Sequence, residues 1–228
     1  MIALRDVWKR FPRGPLVAQG ITATFPRGQA TALLGRNGAG KSSLLAMIAG
    51  TLRPDAGRIE RTGTVSWPVG FAGAFHPDLT GVQNTRFVAR VYGVDSRGLL
   101  AFVRAVSGLD DAMSWPVRRY SSGMKARLGF AISMGIPFDM YLVDEITAVG
   151  DAAFRRETAD LLRARLGQAG AIVVSHAPAQ LRAVCTAGAV LEDGRLRMVD
   201  DIDEALAVYE AGVRAVACPC ARLRCPPE

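Results

Sequence analysis

A loop at residues 35–42 shows most clearly what chemistry this sequence can do. It has the form G-x4-G-K-S, and in such loops the glycines let backbone N–H groups turn toward phosphate oxygens. An apolar run at residues 30–34 precedes the loop, and residues 43–49 follow it with helical character, so strand, loop and helix come in the required order. The sequence therefore predicts a site for a nucleoside triphosphate.

The loop residues have separate roles in holding the phosphates. Lys41 is placed to reach the β- and γ-phosphates and to neutralise charge that develops there, and the Ser42 hydroxyl is placed to hold Mg²⁺. Backbone N–H groups supply the remaining contacts, together with the positive end of the following helix dipole. The predicted phosphate-binding residues are Gly35, Arg36, Asn37, Gly38, Ala39, Gly40, Lys41, Ser42 and Ser43.

Two carboxylates, Asp144 and Glu145, follow the apolar residues 140–143. The first can hold Mg²⁺, directly or through water, and the second can accept a proton from an attacking water molecule. An acidic pair after a strand is, by itself, more often a solvated strand end. Because a phosphate loop lies earlier in the same chain, we interpret the pair as a metal ligand and a catalytic base.

A short polar segment opens a predicted helix just before that strand. Residues 120–125 read Y-S-S-G-M-K, which resembles the signature sequence of ATP-binding-cassette (ABC) ATPases, usually L-S-G-G-Q. Ser121 or Ser122 is also expected to cap the helix, and both interpretations hold because a cap and a phosphate contact use the same backbone amides. In the family this segment contacts the nucleotide of the opposite subunit, a role that the resemblance assigns to Ser121, Ser122, Gly123 and Met124.

The same resemblance assigns roles to three further residues. His176 follows the predicted strand 171–175 and corresponds to the switch histidine that contacts the γ-phosphate, and Asp151 corresponds to the aspartate of the D-loop. Phe11 stands where the family places the aromatic ring that stacks on adenine. A lone histidine after a strand is more often structural, and an aromatic ring at position 11 packs in a core about as often, so these alternatives stay open here.

The resemblance covers residues 1 to about 212 and is most specific for the ATPase subunits of capsular-polysaccharide exporters. Residues 65–71, 75–81, 120–127 and 148–151 carry it. It implies an ATP-hydrolysing subunit, with ATP and Mg²⁺ as cofactors, that powers export of capsular or related cell-surface polysaccharide across the inner membrane. It also implies two partners, which are a second copy of the chain, paired head to tail, and an integral membrane permease.

Hydrophobic runs and helical patterns alternate in the order of an α/β core. With the resemblance, they predict an α/β fold, a P-loop NTPase (RecA-like) core with an antiparallel β edge subdomain and an inserted α-helical subdomain. The domain is expected to span residues 1–212, with the helical part at about 72–136, followed by a disordered tail at 213–228. The predicted strands are 2–7, 16–25, 29–34, 138–143, 171–175, 187–192 and 195–199, and the predicted helices are 80–92, 96–106, 122–135 and one from near Asp201.

Composition and charge restrict the class of protein further. The 228 residues carry a net charge of +7, but the basic residues are scattered and not interleaved with aromatic residues, so we expect no nucleic-acid binding. No apolar stretch approaches the roughly 18 residues of a membrane span, and the first residues do not read as a secretory signal. The expected location is cytoplasmic, peripheral on the cytoplasmic face of the inner membrane.

The sequence departs from the family at one point and leaves alternative functions open. No glutamine stands near Phe71, where most family members carry one that senses Mg²⁺ and the partner. We therefore expect residues 75–79, with Phe75 and Leu79, to carry more of the permease contact, and the alternative is that Phe75 and Leu79 pack the core of the helical part. The alternative function is a soluble ABC ATPase that acts on nucleic acid or ribosomes without a permease. A P-loop kinase is a third option, but a kinase would not need residues 120–124.

Overall fold

The computed structural model describes residues 1–12, 14, 16–69, 75–144 and 152–217. The strands are β1 (Ile2–Arg10), β2 (Leu16–Phe25), β3 (Ala30–Leu34), β4 (Ala56–Arg61), β5 (Val65–Pro68), β6 (Met140–Asp144), β7 (Gly170–Val174), β8 (Ala187–Glu192) and β9 (Arg195–Val199). The helices are α1 (Lys41–Ala49), α2 (Gly81–Val91), α3 (Ser96–Ser107), α4 (Ser122–Gly135), α5 (Ala152–Gln168), α6 (Pro178–Val184) and α7 (Ile202–Ala217). Two 3₁₀ turns, Asp110–Ser114 and Val117–Arg119, lie between α3 and α4.

A six-stranded sheet in the order β5-β6-β7-β3-β8-β9 carries Asp144 and leads into the phosphate loop and the turn with His176. Its first five strands are parallel, and β9 pairs antiparallel with β8. Strands β3 and β7 are buried along their whole length, as expected where both faces of a parallel sheet are covered. Because parallel strands end at the same edge of a sheet, the carboxyl ends of β3, β7 and β6 lie along one edge.

Successive residues of the central strands supply two separate hydrophobic cores. On β6, Tyr141 and Val143 belong to a core shared with the inserted helices, whereas Met140 and Leu142 belong to a second core shared with α1 and the smaller sheet. This alternation follows from the two-residue period of a strand. It explains why the strand reads in sequence as one continuous apolar run.

The smaller sheet, in the order β2-β1-β4, is antiparallel and is joined to α1. Arg61 of β4 donates through Nε to the Ile48 carbonyl at 2.6 Å and through Nη2 to the Met47 carbonyl at 2.7 Å. Both carbonyls belong to the last turn of α1, where a cation is favourable. The edge sheet therefore fastens the far end of the helix that follows the phosphate loop.

Each helix of the insertion begins at a side-chain cap. The Thr80 hydroxyl accepts the N–H of Gln83 at 3.1 Å, and Gln83 Oε1 accepts the N–H of Thr80 at 2.9 Å, which completes the predicted capping box of α2. Asp95 caps α3. The Ser121 Oγ accepts the N–H of Met124 at 3.2 Å at the start of α4.

The predicted fold class is confirmed, and most of the predicted elements lie within a few residues of the observed ones. Four elements are not predicted from the sequence, namely β4, β5, α5 and α6. Strand β4 is mostly exposed and half charged, so it shows no apolar pattern. The expected domain limit at residue 212 and the start of the predicted tail at 213–228 lie inside α7, which runs to Ala217. The rest of that tail, residues 218–228 with Cys218, Cys220 and Cys225, lies outside the described residues.

One expectation about residues 75–79 is wrong. Phe75 is only 8% exposed and belongs to the core of the inserted helices, so its ring is not available to a membrane partner. The buried Asn84 of α2 fixes this segment, since its Oδ1 accepts the N–H of His76 at 2.9 Å and its Nδ2 donates to the His76 carbonyl at 3.2 Å. Across the described ranges, no helix is long and apolar enough to cross a membrane.

Candidate nucleotide-binding site

The phosphate loop follows β3 directly and packs closely against two neighbouring strands. Gly35 lies so near β8 that a Cβ atom there would stand 2.6 Å from the Leu191 carbonyl oxygen. Gly40 has a φ of +101°, and a Cβ atom there would stand 2.5 Å from Val17 Cγ1 on β2. Only glycine fits at either position. The close approach of β8 and β2 therefore explains why positions 35 and 40 of the loop are glycines.

The N-terminus of α1 differs from the helix ends in the insertion because no side chain caps it. Gly40 occupies the N-cap position in the left-handed region, and the first turn contains no acidic residue. The first N–H groups of a helix have no partner within the helix, and with the dipole they form an anion site. Buried residues hold the helix in place, namely Leu44, Leu45, Met47 and Ile48.

Lys41 lies against the loop that precedes it. Its Nζ donates to the Gly35 carbonyl at 2.6 Å and to the Arg36 carbonyl at 3.1 Å. These contacts hold the ammonium group beside the N-terminus of α1, so two sources of positive potential coincide. The loop, the helix end and the lysine together can bind a polyanion.

Asp144 and His176 lie at the carboxyl ends of β6 and β7, and β7 pairs with β3. Asp144 ends β6 and is half-buried, and His176 stands two residues beyond the end of β7 and is exposed. Ser175 Oγ accepts the N–H of Ala177 at 3.1 Å, which shapes the turn that carries the histidine. Lys41 and His176 line one cavity of about 80 Å³, so the structure brings these two predicted residues together.

Both predicted metal ligands lie among the described residues. They are the Ser42 hydroxyl in the first turn of α1 and the Asp144 carboxylate at the end of β6, and Mg²⁺ prefers such oxygen ligands. Glu145, Asp151 and Phe71 lie outside the described residues. The predicted catalytic base, the D-loop residue and the position that lacks a glutamine therefore stay predictions.

Phe11 lies just after β1 with its ring in contact with solvent. It is 36% exposed and belongs to neither hydrophobic core, so the alternative of core packing does not hold. Lys9 Nζ stands 5.8 Å from the ring centroid and 2.7 Å from Asp55 Oδ1, and the hydrogen bond from Lys9 lowers the pKa of Asp55. An exposed ring of this kind can stack on a base, and that role of Phe11 stays a prediction.

The segment that resembles the signature sequence lines a groove of its own at the start of α4. The groove has a volume of about 820 Å³, and its walls include Ser121, Met124 and Trp115. Ser121 rather than Ser122 caps the helix. Among the described residues, none that lines this groove also lines the cavities at the phosphate loop, so one chain does not join the two predicted phosphate contacts.

A second cavity at the phosphate loop, of about 440 Å³, is larger than the one that Lys41 and His176 line, and it is not predicted from the sequence. Loop residues 35–39 form one wall, and the β8–β9 turn at residues 192–194 with Tyr209 of α7 forms another. Gln19 fastens this turn, because its N–H donates to the Gly194 carbonyl at 2.7 Å. The segments are far apart in the chain, so no local pattern could have signalled that they meet.

Comparison with known proteins places the chain among transport ATPases. Residues 18–148 match the family model described as ABC transporter. The chain is 40% identical over 212 residues to the ATP-binding protein BexA of Haemophilus influenzae (92% of this chain, 98% of that protein). It is 40% identical over 218 residues to the capsule polysaccharide export ATP-binding protein CtrD of Neisseria meningitidis serogroup B (92% and 99%). It is 42% identical over 198 residues to the polysialic acid transport ATP-binding protein KpsT of Escherichia coli (85% and 88%).

Solved structures share the fold at lower identity. An ATP-binding subunit of an ABC transporter matches with a TM-score of 0.76 at 20% identity, over 92% of this chain and 99% of that one. A dimeric ATP-binding cassette in a post-hydrolysis state, bound to ADP and Pi, matches with a TM-score of 0.75 at 18% identity, over 89% and 99%. The family model spans more than half of the chain and the curated relatives cover nearly all of it, and the chain therefore belongs to the ABC transporter family, among its ATP-binding subunits.

Proposed function

We propose that this chain is the ATP-hydrolysing subunit of an ABC exporter that moves capsular or related cell-surface polysaccharide across the inner membrane. The names of two relatives, for capsule polysaccharide export and polysialic acid transport, support the choice of cargo. The N-terminus of α1 supports the ATP chemistry, since a helix end without a side-chain cap lies behind a glycine loop. That helix end is the single observation that carries the enzymatic part of the proposal.

In this proposal the phosphate loop holds the triphosphate of ATP. Backbone N–H groups of residues 35–43 bind the phosphate oxygens, and Lys41, already held beside them, neutralises charge on the γ-phosphate. Ser42 and Asp144 would hold Mg²⁺, which would supply positive charge that neutralises the phosphates. Phe11 stacks on the adenine ring, which its exposed position supports.

We assign hydrolysis to the loops that follow β6 and β7. Glu145 orients the attacking water and accepts its proton. His176 contacts the γ-phosphate, and its place in one cavity with Lys41 supports this role. Asp151, by the resemblance, is the D-loop aspartate.

The second half of the site is proposed to come from a second copy of the chain. Ser121, Ser122, Gly123 and Met124 line a groove that is separate from the phosphate-loop cavities in the described part of one chain. The Ser121 hydroxyl accepts the N–H of Met124, and a hydroxyl that accepts one hydrogen bond can still donate its own O–H to a phosphate oxygen. In a head-to-tail dimer each phosphate loop faces the groove of the other copy, which makes two equivalent sites.

ATP would then act as the link between the two copies. Binding closes the dimer, hydrolysis opens it, and an integral membrane permease converts this motion into transport. The subunit would lie on the cytoplasmic face of the inner membrane, attached to that permease. The buried ring of Phe75 means that the permease contact uses other residues of the insertion.

The alternative function, on nucleic acid or ribosomes without a permease, has weaker support. The relatives described above are named for export and transport. Several basic residues are already paired with carboxylates. These pairs are Arg5 with Glu60, Lys9 with Asp55, and Arg118 with Asp78.

Purification of the tagged chain from membranes of its host tests the proposal. We expect a multi-span membrane protein to co-purify, and we expect a strain that carries Lys41→Ala to lose its surface polysaccharide. A tagged Arg58→Ala chain is the control, because Arg58 is an exposed cation of β4 that is paired with Glu60 and lines neither cavity at the phosphate loop. Co-purification with ribosomes or nucleic acid, together with normal polysaccharide in the Lys41→Ala strain, would show that the export proposal is wrong.

A further inference from the structure

Trp115 presents its indole ring to the groove that the signature segment lines. Its side chain is 45% exposed, and it borders the groove together with Ser121 and Gly123. A tryptophan exposed to this extent leaves a large apolar surface in water, which is unfavourable. Neither hydrophobic core includes Trp115, so packing within this chain does not explain a tryptophan at this position.

The backbone around Trp115 is firmly held. The Trp115 N–H donates to the Ala112 carbonyl at 2.9 Å, and the Tyr120 hydroxyl donates to the same carbonyl at 2.6 Å. Met113 and Val117, on either side, are buried. Because Tyr120 directly precedes the cap of α4, a single carbonyl ties the turn that carries the tryptophan to the N-terminus of that helix.

The two walls of the groove differ in chemistry. Ser121 and Gly123 belong to a polar wall at the positive end of α4, whereas Ala112 and Trp115 belong to an apolar wall. Of the described residues that line the groove, Arg127 is charged and none is a carboxylate. A ligand with an anionic end and a flat aromatic end fits both walls, and a nucleoside triphosphate is such a ligand.

We propose that Trp115 stacks on the base of the nucleotide whose phosphates lie in the phosphate loop of the other copy. This inference rests on the head-to-tail dimer of the proposed function. In that dimer, Phe11 of one copy and Trp115 of the other contact the same base. Stacking of a base on an aromatic side chain strengthens binding by about 10-fold. Trp115 therefore stabilises the closed dimer, and it contacts the base rather than the phosphates.

The test uses the full chain with Glu145→Gln, in which ATP-bound dimers are expected to accumulate. Trp115→Ala and Trp115→Phe are compared with Phe87→Ala, because Phe87 is 58% exposed on α2 of the same insertion and does not line the groove. The ATP concentration that gives half of the dimer is measured by analytical ultracentrifugation. We expect Trp115→Ala to raise it about 10-fold, Trp115→Phe to recover most of this loss, and Phe87→Ala to leave it unchanged.

A second measurement reports the contact itself. The sequence contains three tryptophans, so the tryptophan fluorescence of a chain with both Trp8→Phe and Trp67→Phe comes from Trp115 alone. We expect its fluorescence to be quenched when ATP forms the dimer, because a stacked base quenches indole emission. Melting temperatures without nucleotide should match the parent for both Trp115 variants, since the side chain fills no core.

The outcomes separate this inference from the proposed function. Dimers that form at the parental ATP concentration in Trp115→Ala would overturn the inference and leave the proposed function intact. The inference would also be overturned if Trp115→Ala raised the ATP concentration for half-dimerisation but ATP did not quench the fluorescence of Trp115. A contact of Trp115 with the partner protein, rather than with the base, would give that result. A parent chain that forms no ATP-dependent dimer would overturn the head-to-tail site and the inference with it.

Discussion

The N-termini of α1 and α4 both present backbone N–H groups, but they do so in different ways. At α1 the N-cap is Gly40 with a φ of +101°, and no side chain caps the helix end by a hydrogen bond. At α4 the Ser121 hydroxyl accepts the N–H of Met124 and so satisfies one of the exposed donors. The first end is left open for an anion, whereas the second is stable by itself and can still contact one.

The surroundings of the two ends match this difference. Helix α1 is fastened at its far end by Arg61, and Leu44 and Leu45 are completely buried, so the open end is held rigidly. The end of α4 borders a broad groove that includes the exposed Trp115. This contrast is what we expect if α1 binds phosphate within one chain and α4 acts only when a second copy arrives.

The largest effect is expected at Glu145, which belongs to neither helix end. Glu145→Gln should slow ATP turnover by about 10²–10⁴-fold because the general base is lost. ATP affinity should stay near that of the parent, since both helix ends are unchanged. Steady-state ATPase rates and nucleotide binding test this, with Glu204→Gln on the exposed start of α7 as the control. Turnover of Glu145→Gln at the parental rate would remove this residue from catalysis.

Removing the charge at the open end of α1 should have the next largest effect. Lys41→Ala should reduce turnover by about 10²–10³-fold, because a cation aimed at the developing phosphate charge is lost. The N–H groups of the helix end remain, so weak ATP binding should persist. Arg58→Ala removes an exposed cation of β4 and is the matched control in the same ATPase assay. Equal rates for the two variants would contradict the assigned role of Lys41.

The glycine at the open end can be tested through stability. Gly40→Ala combines an unfavourable φ with a Cβ placed 2.5 Å from Val17 Cγ1, and it should lower the free energy of unfolding by about 1–3 kcal/mol. Gly38→Ala is the matched comparison, because Gly38 also has a positive φ, +82°, but its Cβ would meet nothing within 4 Å. Urea unfolding without nucleotide measures both. Equal losses would mean that the contact with Val17 does not position the loop.

The smallest effect concerns the capped end of α4. Ser121→Ala should lower the free energy of unfolding by about 1 kcal/mol, because the N–H of Met124 loses its partner. Ser122→Ala, one residue further on, should stay within about 0.5 kcal/mol of the parent. Both values come from urea unfolding without nucleotide. A larger loss for Ser122→Ala than for Ser121→Ala would show that Ser121 is not the residue that caps the helix.

Both helix ends could be predicted from the sequence because their determinants are consecutive residues. The loop glycines and Lys41 lie within one short motif, and the observed helix Ser122–Gly135 has the predicted bounds. The exposure of Trp115 could not be predicted, because it depends on two 3₁₀ turns that show no apolar period. The cavity beside the β8–β9 turn could not be predicted either, because it joins segments from opposite ends of the chain.

The burial of Phe75 is another feature that could not be predicted from the sequence. An apolar residue two positions before Pro77 reads equally well as part of a docking surface or as part of a core. The structure decides for the core, since Asn84 of α2 holds the adjacent backbone through its amide group. A buried amide that makes such long-range hydrogen bonds has no local signature in the sequence.

The central claim, that ATP is bound between the α1 end of one copy and the α4 end of another, is tested by mixing two variants. One is Lys41→Ala, and the other is Gly123→Asp. A Cβ at Gly123 would meet nothing nearer than 3.8 Å, so the aspartate fits its own chain while its charge opposes the triphosphate of the partner. Gly167→Asp on α5, where a Cβ meets nothing within 4 Å, is the matched control and should keep parental turnover.

The measurement is the ATPase rate of each variant alone and of their equimolar mixture. We expect each variant alone to be nearly inactive and the mixture to recover part of the parental rate. The recovery follows because a mixed dimer contains one site with an intact Lys41 from one copy and an intact Gly123 from the other. Parental turnover by Gly123→Asp alone, or a mixture as inactive as its components, would contradict a site shared between two copies.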